Sequence, residues 1–521
     1  MRSKNLFFLI ITVILAIYYM YCGIYLNHLG YTNPESLFYI EKAKIIFEGI
    51  GNRIKVMGLT TPILPFYATF LFTSIDKGIL APVIASSIGT AMLFYVMART
   101  LLIRTTGFFY TMLLVLLFIF HPGILFVACS GKGVYLCLMF FFLFFLNILK
   151  FYRSNTTFHI SIASICLVVL VFCDYKFIWL TLFFIPLILS IAIQSLNLSE
   201  KESIFRLFLS FNSPSLRRKL FSKTFALYII LFILPIASIV CYKLLNLTHA
   251  NDLNYFLESP YATWNVLADK LQYDQISTSS NSFLPSEISL LISVKALLFC
   301  PMIIIAIYLF KDSTYQILTI LTPFAFIEFL HIKYNEVFLN YEYFMIFIML
   351  AYLCIMFKIH IIRRQGFIKF LLFVFLVLQI FTGYYFLKNS NVADEKNFYI
   401  ALRDRKADFS QQENLDAAAA INSVPTNGKI LVDDAVAYPV VAYAAHTQQL
   451  TMPYQDEFAG AIESPEKYDD YLLIATAKNL NTGYTQINNK YVEIIKLNND
   501  HLKLRTIFQN EDWVLYQIVS R

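Results

Sequence analysis

Uniformly apolar segments, each close to the roughly 20 residues needed to cross a hydrocarbon core, recur from Leu6 to Leu387. They predict helices at 6–26, 80–98, 106–128, 134–149, 158–173, 177–195, 225–245, 288–309, 316–332, 343–357 and 369–387, about eleven spans. The separation of 158–173 from 177–195 rests on one polar triplet, Asp174, Tyr175 and Lys176. A shorter run, TTPILPFYATFLF, is apolar for only about 15 residues and reads as interfacial or re-entrant. After residue 387 the pattern changes. LDAAAAINSV predicts a helix ended by Pro425 and Asn427–Gly428, and KILVDD predicts a buried strand. A helix over Val436–Ala445, a strand over Tyr471–Ala475 and a final pair around Tyr491–Leu497 and Trp513–Val519 complete a small α/β domain.

The composition agrees with a polytopic membrane protein: 58% of the 521 residues are hydrophobic and only 14% charged, against about a quarter in soluble domains. Arg2 and Lys4, Arg99 and Arg104, Lys150 and Arg153, Arg217–Arg218–Lys219, and Lys358 with Arg363 and Arg364 all fall on one side, which the positive-inside rule makes the cytoplasm. The first apolar run has no small-residue cleavage site behind it and reads as a retained helix. The organisation expected is therefore a transmembrane domain at 1–387, with a first external loop at 27–78, followed by an extracytoplasmic α/β domain at 388–521. From Lys388 onward 13 basic residues face 18 acidic ones, leaving 28 and 16 before it, so the excess positive charge belongs to topology and anionic lipid. Nucleic-acid binding has no support. The eight cysteines lie in or beside the spans and suggest neither a disulfide framework nor a metal pair.

Candidate chemistry gathers in the outer loops. In YTNPESLFYIEKAKIIFEG, Asn33 suits a helix cap, Pro34 the first helical position, and Glu35 the place where the helix dipole favours an anion. Glu35 and Tyr39 then share one face and Glu41, Lys44 and Glu48 another, the first facing a cavity and the second the headgroups. The same residues also fit a plain interfacial helix. CSGKGVYL contributes Lys132, the triplet contributes Asp174 and Lys176, and HIKYNEVFLNYEY contributes His331 and Lys333. The charges of the first two fit ligand contacts or headgroup anchors equally well. Asp433–Asp434 reads as helix capping and His446 as a surface residue; the common nucleotide-binding and zinc motifs are missing from the sequence.

The order of features over the first 150 residues resembles the GT-C membrane glycosyltransferases, in particular the branch of the lipid A aminoarabinose transferases and the protein O-mannosyltransferase-like proteins. The residues that carry the likeness are Pro34, Glu35, Ser36, Tyr39, Ala43 and Gly49, then TTPILPFY, with ILVDDAVAYPV and WVLY in the tail. The family's first-loop Asp falls on Glu35 and its companion acid on Ser36.

The resemblance implies a GT-C-like fold and transfer of a sugar from a polyprenyl-phosphate donor to a lipid, glycan or protein at the periplasmic face of a bacterial inner membrane. Such transfer requires an acid to deprotonate the acceptor and cations to neutralise the departing phosphate. Glu35 is the expected base, alone or through a bound Mg²⁺ or Mn²⁺ ion. Tyr39, Lys132, Asp174, Lys176, His331 and Lys333 are the expected substrate contacts. The polyprenyl-phosphate sugar and membrane lipid are the partners implied; the sequence sets no oligomeric state. A second reading, a non-enzymatic lipid-linked-glycan binding or transport protein on the same scaffold, stays open because Ser36 replaces an acid.

Overall fold

A computed structural model describes residues 2–519 except 49–50, 74–77, 105–106, 155, 196–213, 263–284, 312–313, 335–340, 363–365, 391, 480–484 and 497–502. The chain is a helical membrane protein with a small sheet near its C-terminus. Eight helices lead the bundle: α1 (Arg2–His28), α2 (Pro34–Glu48), α3 (Ile63–Phe70), α4 (Ala81–Arg104), α5 (Phe108–Phe120), α6 (Pro122–Cys129), α7 (Val134–Ser154) and α8 (Thr157–Cys173). Every expected span falls on an apolar helix or helix pair, yet the described helices do not make eleven plain crossings. Five are long and apolar enough to cross, or eight if each bent pair counts once, and three apolar helices are shorter.

The bends have local causes. The expected span 106–128 breaks by 59° between α5 and α6, where His121 is extended, its ring Nδ1 accepts from the Gly123 N–H, and Pro122 cannot donate to a continuing helix. The span 288–309 breaks by 104° just before Met302, at Cys300–Pro301. The helix expected at 225–245 runs from Pro214 to Ala250, longer than expected at both ends. The TTPILPFYATFLF segment forms only the eight-residue α3, packed on α4 and α8. At one end of the bundle Arg104 and Arg153 both lie over the Phe357 ring, at 4.4 and 4.7 Å, and Arg153 also donates to the Phe357 carbonyl.

The terminal sheet contains β1 (Ile430–Leu431), β2 (Leu450–Thr451), β3 (Tyr471–Ala475), β4 (Lys503–Gln509) and β5 (Trp513–Val519) in the order β2-β1-β3-β5-β4. The first three are parallel, and β5 runs antiparallel to both β3 and β4. On its outer side β5 therefore pairs with β4 and not with the expected Tyr491–Leu497, whose described part belongs to a helix, Gln486–Lys496. Apolar Ile487, Tyr491, Ile494 and Ile495 recur three and four apart, a helical period that overrides the strand-forming character of the short stretch YVEII.

The second face of α2 departs from expectation. Instead of meeting headgroups, α2 lies in one core with the terminal domain, where Leu37, Phe38, Ile40 and Ile45 pack with Ile421, Val436, Val440 and Trp513. Lys44 donates to the Ala442 and Ala444 carbonyls at 2.5 and 2.7 Å, at the C-terminal end of the Asp434–Tyr443 helix, where a cation is favoured. Glu48 accepts from Thr447 and from the Gln448 N–H. Between them Lys42, fully buried, donates to Asp434 at 2.5 Å and lies 3.0 Å from Glu41 Oε2, while Tyr454 donates to the same oxygen of Asp434. Burial opposes the lysine's charge, but Asp434 and Glu41 outweigh it and raise its pKa. Burial and the Asp434 charge push the Glu41 carboxyl well up despite Lys42.

Lys42→Ala would strand Asp434 in a sealed core and is expected to cost about 3–5 kcal/mol. The measurement is thermal unfolding of the detergent-purified chain with proteolysis of the terminal domain as a second readout. An unchanged midpoint would show that the pair holds nothing.

Candidate functional site

The N-terminus of α2 starts as its residues dictate. Asn33 Oδ1 accepts from the Glu35 N–H at 2.8 Å, and the other end of the same amide donates to Asp394 Oδ2 at 2.6 Å, so the cap also fastens the helix to the segment after the last long apolar helix. Glu35 is half-buried, and Tyr39, one turn on and fully buried, donates its hydroxyl to Glu35 Oε1 at 2.5 Å. The Tyr39 ring lies 6.3 Å from that of Phe66, so α3 supports the residue that holds Glu35.

Ser36, where the resemblance expects a second acid, has a different task. Its hydroxyl donates to the Ser130 carbonyl at 3.0 Å, fixing the loop between α6 and α7. The next residue, Gly131, has φ +81°, and a Cβ there would come within 2.3 Å of the Ser36 hydroxyl. That turn sets Lys132 beside Glu342, and the two form a close ion pair with the ammonium 5.6 Å above the Phe126 ring. Glu342 opens the Tyr341–Phe357 helix, where the helix dipole supports its charge. Its neighbour Tyr343 donates to Asp174 Oδ2 at 2.5 Å, Asp174 accepts the Lys176 N–H at 3.0 Å, and Lys176 Nζ lies 3.5 Å from the Tyr343 hydroxyl.

Of the expected site residues, Glu35, Tyr39, Lys132, Asp174 and Lys176 thus gather around the first turns of α2 and of the Tyr341–Phe357 helix. Lys333 has its ammonium 3.8 Å over the Trp179 ring. His331 lies on the Thr314–Tyr334 helix, but its side chain is outside the described residues, as is Gly49. The sequence reading missed Glu342, Tyr343, Asp394, Glu395 and Tyr31. Tyr31 donates to Asp394 at 2.8 Å, and Glu395 accepts from the Tyr341 N–H at 2.7 Å and from Ser390. A signal existed: Glu342 stands at the start of an apolar run and Asp394–Glu395 shortly after one, the same placement that drew attention to Glu35.

One lysine serves several acids here. Burial raises the Glu35 carboxyl and Glu342 adds to this, against Lys132, the Tyr39 hydrogen bond and the Gly133 N–H. Burial works against the Lys132 charge, yet Glu342, Glu35 and Asp394 together hold its pKa above the ordinary lysine range. Asp394 is pushed up to about 6 and Glu395 to about 8, in both cases first by burial. The arrangement provides a half-exposed acid able to take a proton and a firmly charged ammonium within electrostatic range of it. Among the described residues no three His, Cys, Asp or Glu side chains converge to hold a metal ion. Glu35 remains the one expected ligand for a divalent ion, which carboxylates can hold together with water and a substrate phosphate, and no step is derived through one.

No family model matches the chain and no curated protein does. Solved structures do align with it, two of which follow. ArnT from Cupriavidus metallidurans, crystallised bound to undecaprenyl phosphate, is 11% identical, with 98% of this chain and 97% of that one covered and a TM-score of 0.49. The Archaeoglobus fulgidus oligosaccharyltransferase in the apo form is 10% identical, with 89% and 69% covered and a TM-score of 0.43. Both are GT-C superfamily proteins, the superfamily that the first loop resembles. At these identities and scores neither assigns a role to any residue here.

Glu395 generates a stability prediction. Its folded pKa of about 8 lies above the ordinary glutamate value of 4.5, so the fold favours the neutral carboxyl. The stability this contributes is complete below 4.5 and is lost as pH rises through about 8. Glu395→Gln, which fixes the neutral form, is expected to gain on the parent progressively across that window in paired thermal-unfolding series. Parallel curves would contradict the assignment.

Proposed function

We propose that the chain is a glycosyltransferase that moves a sugar from a polyprenyl-phosphate donor to an acceptor at the periplasmic face of a bacterial inner membrane. The observation that carries this reading is that half-buried Glu35, held by Tyr39, lies within electrostatic range of the buried Lys132 ammonium, itself ion-paired with Glu342, at one end of a membrane helix bundle. The division of the chain into a transmembrane part at 1–387 and a periplasmic domain at 388–521 belongs to the same proposal.

In this mechanism Glu35 accepts the proton of the acceptor hydroxyl or amine as its oxygen or nitrogen attacks the anomeric carbon. The bond from that carbon to the phosphate oxygen breaks, its electron pair leaves with the polyprenyl phosphate, and Lys132 offsets the charge that develops there. Lys176, beside Tyr343 and Asp174, would be a second cation for the same phosphate. Tyr39 keeps the longer glutamate arm in one position, which matters because misplacement by about 1 Å can cost roughly a hundredfold.

Glu35→Gln is expected to lower kcat at least about a hundredfold with donor binding retained. Because the Glu35 pKa is raised and the base must be ionised, activity falls as pH drops through a value above the ordinary glutamate range. The test is transfer from a defined polyprenyl-phosphate sugar by purified protein in native lipid, followed from pH 4 to 8. Unchanged turnover in the Gln variant would overturn the mechanism. Donor binding without product in the parent protein would favour the binding-protein reading.

A further inference from the structure

A second polar space opens on the far side of Asp394. It is a cleft of about 330 Å³ between the start of α2, the Ala393–Tyr399 helix and the terminal domain. That volume falls at the lower end of small-ligand pockets, which run from roughly 300 to 1,000 Å³. Asp394 and Tyr31 belong both to this cleft and to the network that fixes α2. The cleft therefore shares a carboxylate with the cluster around Lys132.

Its lining has a definite chemistry. Tyr31 and Tyr438 present ring surface, Asp394, Asp408 and Asp512 present carboxyls, and Asn397 and Ser410 present neutral polar groups. The Asn397 side chain is half-buried and has no hydrogen-bond partner among the described residues. The lining also includes Lys478, whose ammonium pairs with Glu511 at 3.3 Å. An anion entering the cleft would meet three acids against one lysine already paired, whereas a ring bearing hydroxyl or amino groups would find acceptors, amide donors and aromatic surface. The space is too small for a peptide segment and too polar for a lipid chain.

We propose that this cleft is the subsite for a sugar ring of the acceptor, neutral or amino-bearing and without phosphate or carboxylate, held beside the cluster that contains Glu35. The assignment deepens the proposed function and rests on it for the word acceptor. The binding itself can be measured without any donor. Its chemistry also limits the preceding step: the reaction that supplies the acceptor must leave at least one pyranose unphosphorylated.

The test uses the full-length protein in detergent or nanodiscs and saturation-transfer NMR with methyl glycosides of glucose and glucosamine, and with methyl glucuronide as the anionic comparison. The first two are expected to receive magnetisation and the glucuronide not. Ser410→Trp, at an exposed position on the cleft wall, fills the space and is expected to abolish the signal. Asn397→Leu, which removes the free amide, is expected to weaken it by roughly tenfold. Thermal unfolding of each variant checks that the fold is intact. Absence of transfer to the neutral and amino glycosides, equal transfer to the glucuronide, or an undiminished signal in a folded Ser410→Trp protein would each overturn the subsite. None of these readings depends on whether glycosyl transfer occurs.

Discussion

Lys42 cannot remain charged in a core from which water is excluded unless a carboxylate meets it, and that requirement organises the outer half of the molecule. Asp434 supplies the charge and Tyr454 a hydroxyl, while Glu41 is driven toward its neutral form. Breaking one member of such a pair costs far more than the pair contributes, so the contact acts as a register pin more than as a source of net stability. It fixes the middle of α2 against the terminal domain, and with it the depth at which the first turn of the helix meets the membrane bundle. Glu35 lies two turns upstream of this pin.

The two ends of α2 thus face different surroundings. Lys44 and Glu48 satisfy backbone groups of the terminal domain, whereas Asn33, Glu35 and Ser36 reach the loop after α6 and the segment after residue 388. A displacement of the terminal domain would be transmitted along a rigid helix of four turns to the acid. This explains why a chain with its chemistry at the bundle surface has so much of its first loop in the core of a domain more than 300 residues later in sequence.

Some of this was legible in the sequence. The apolar runs located the helices, the cap at Asn33 and the acid at Glu35 located the start of α2, and β3 spans Tyr471–Ala475 as its apolar pattern predicts. The departures share a cause. Glu41, Lys44 and Glu48 read as facing headgroups because helix periodicity reports polarity but not what covers a polar face, and here the cover lies some 390 residues downstream. The bends at Cys300–Pro301 and His121–Pro122 were visible as prolines, but whether a proline ends a span or only kinks it depends on packing. Glu342, Asp394 and Glu395 were passed over for the same reason: each stands beside an apolar run, and only tertiary contacts, with Lys132 for Glu342, with Tyr31 and Asn33 for Asp394 and with the Tyr341 N–H for Glu395, distinguish them from headgroup anchors.

The departure at Ser36 reads differently once its contact is known. A hydroxyl can donate to the Ser130 carbonyl; a carboxylate cannot, and would instead oppose that oxygen in a buried position. It would also add another negative charge to a cluster in which Glu35, Glu342, Asp394 and Glu395 already draw on a single lysine, raising the Glu35 pKa further and disfavouring the ionised form that a base requires. With serine at this position the loop that carries Lys132 is held by a neutral hydrogen bond, and the ammonium, paired with Glu342, still lowers the Glu35 pKa without a further acid competing for it. The same exchange that removes an acid from the motif therefore keeps Glu35 closer to the charge state a base requires, and Tyr39, bonded to its carboxylate, fixes the longer arm that glutamate brings in place of aspartate.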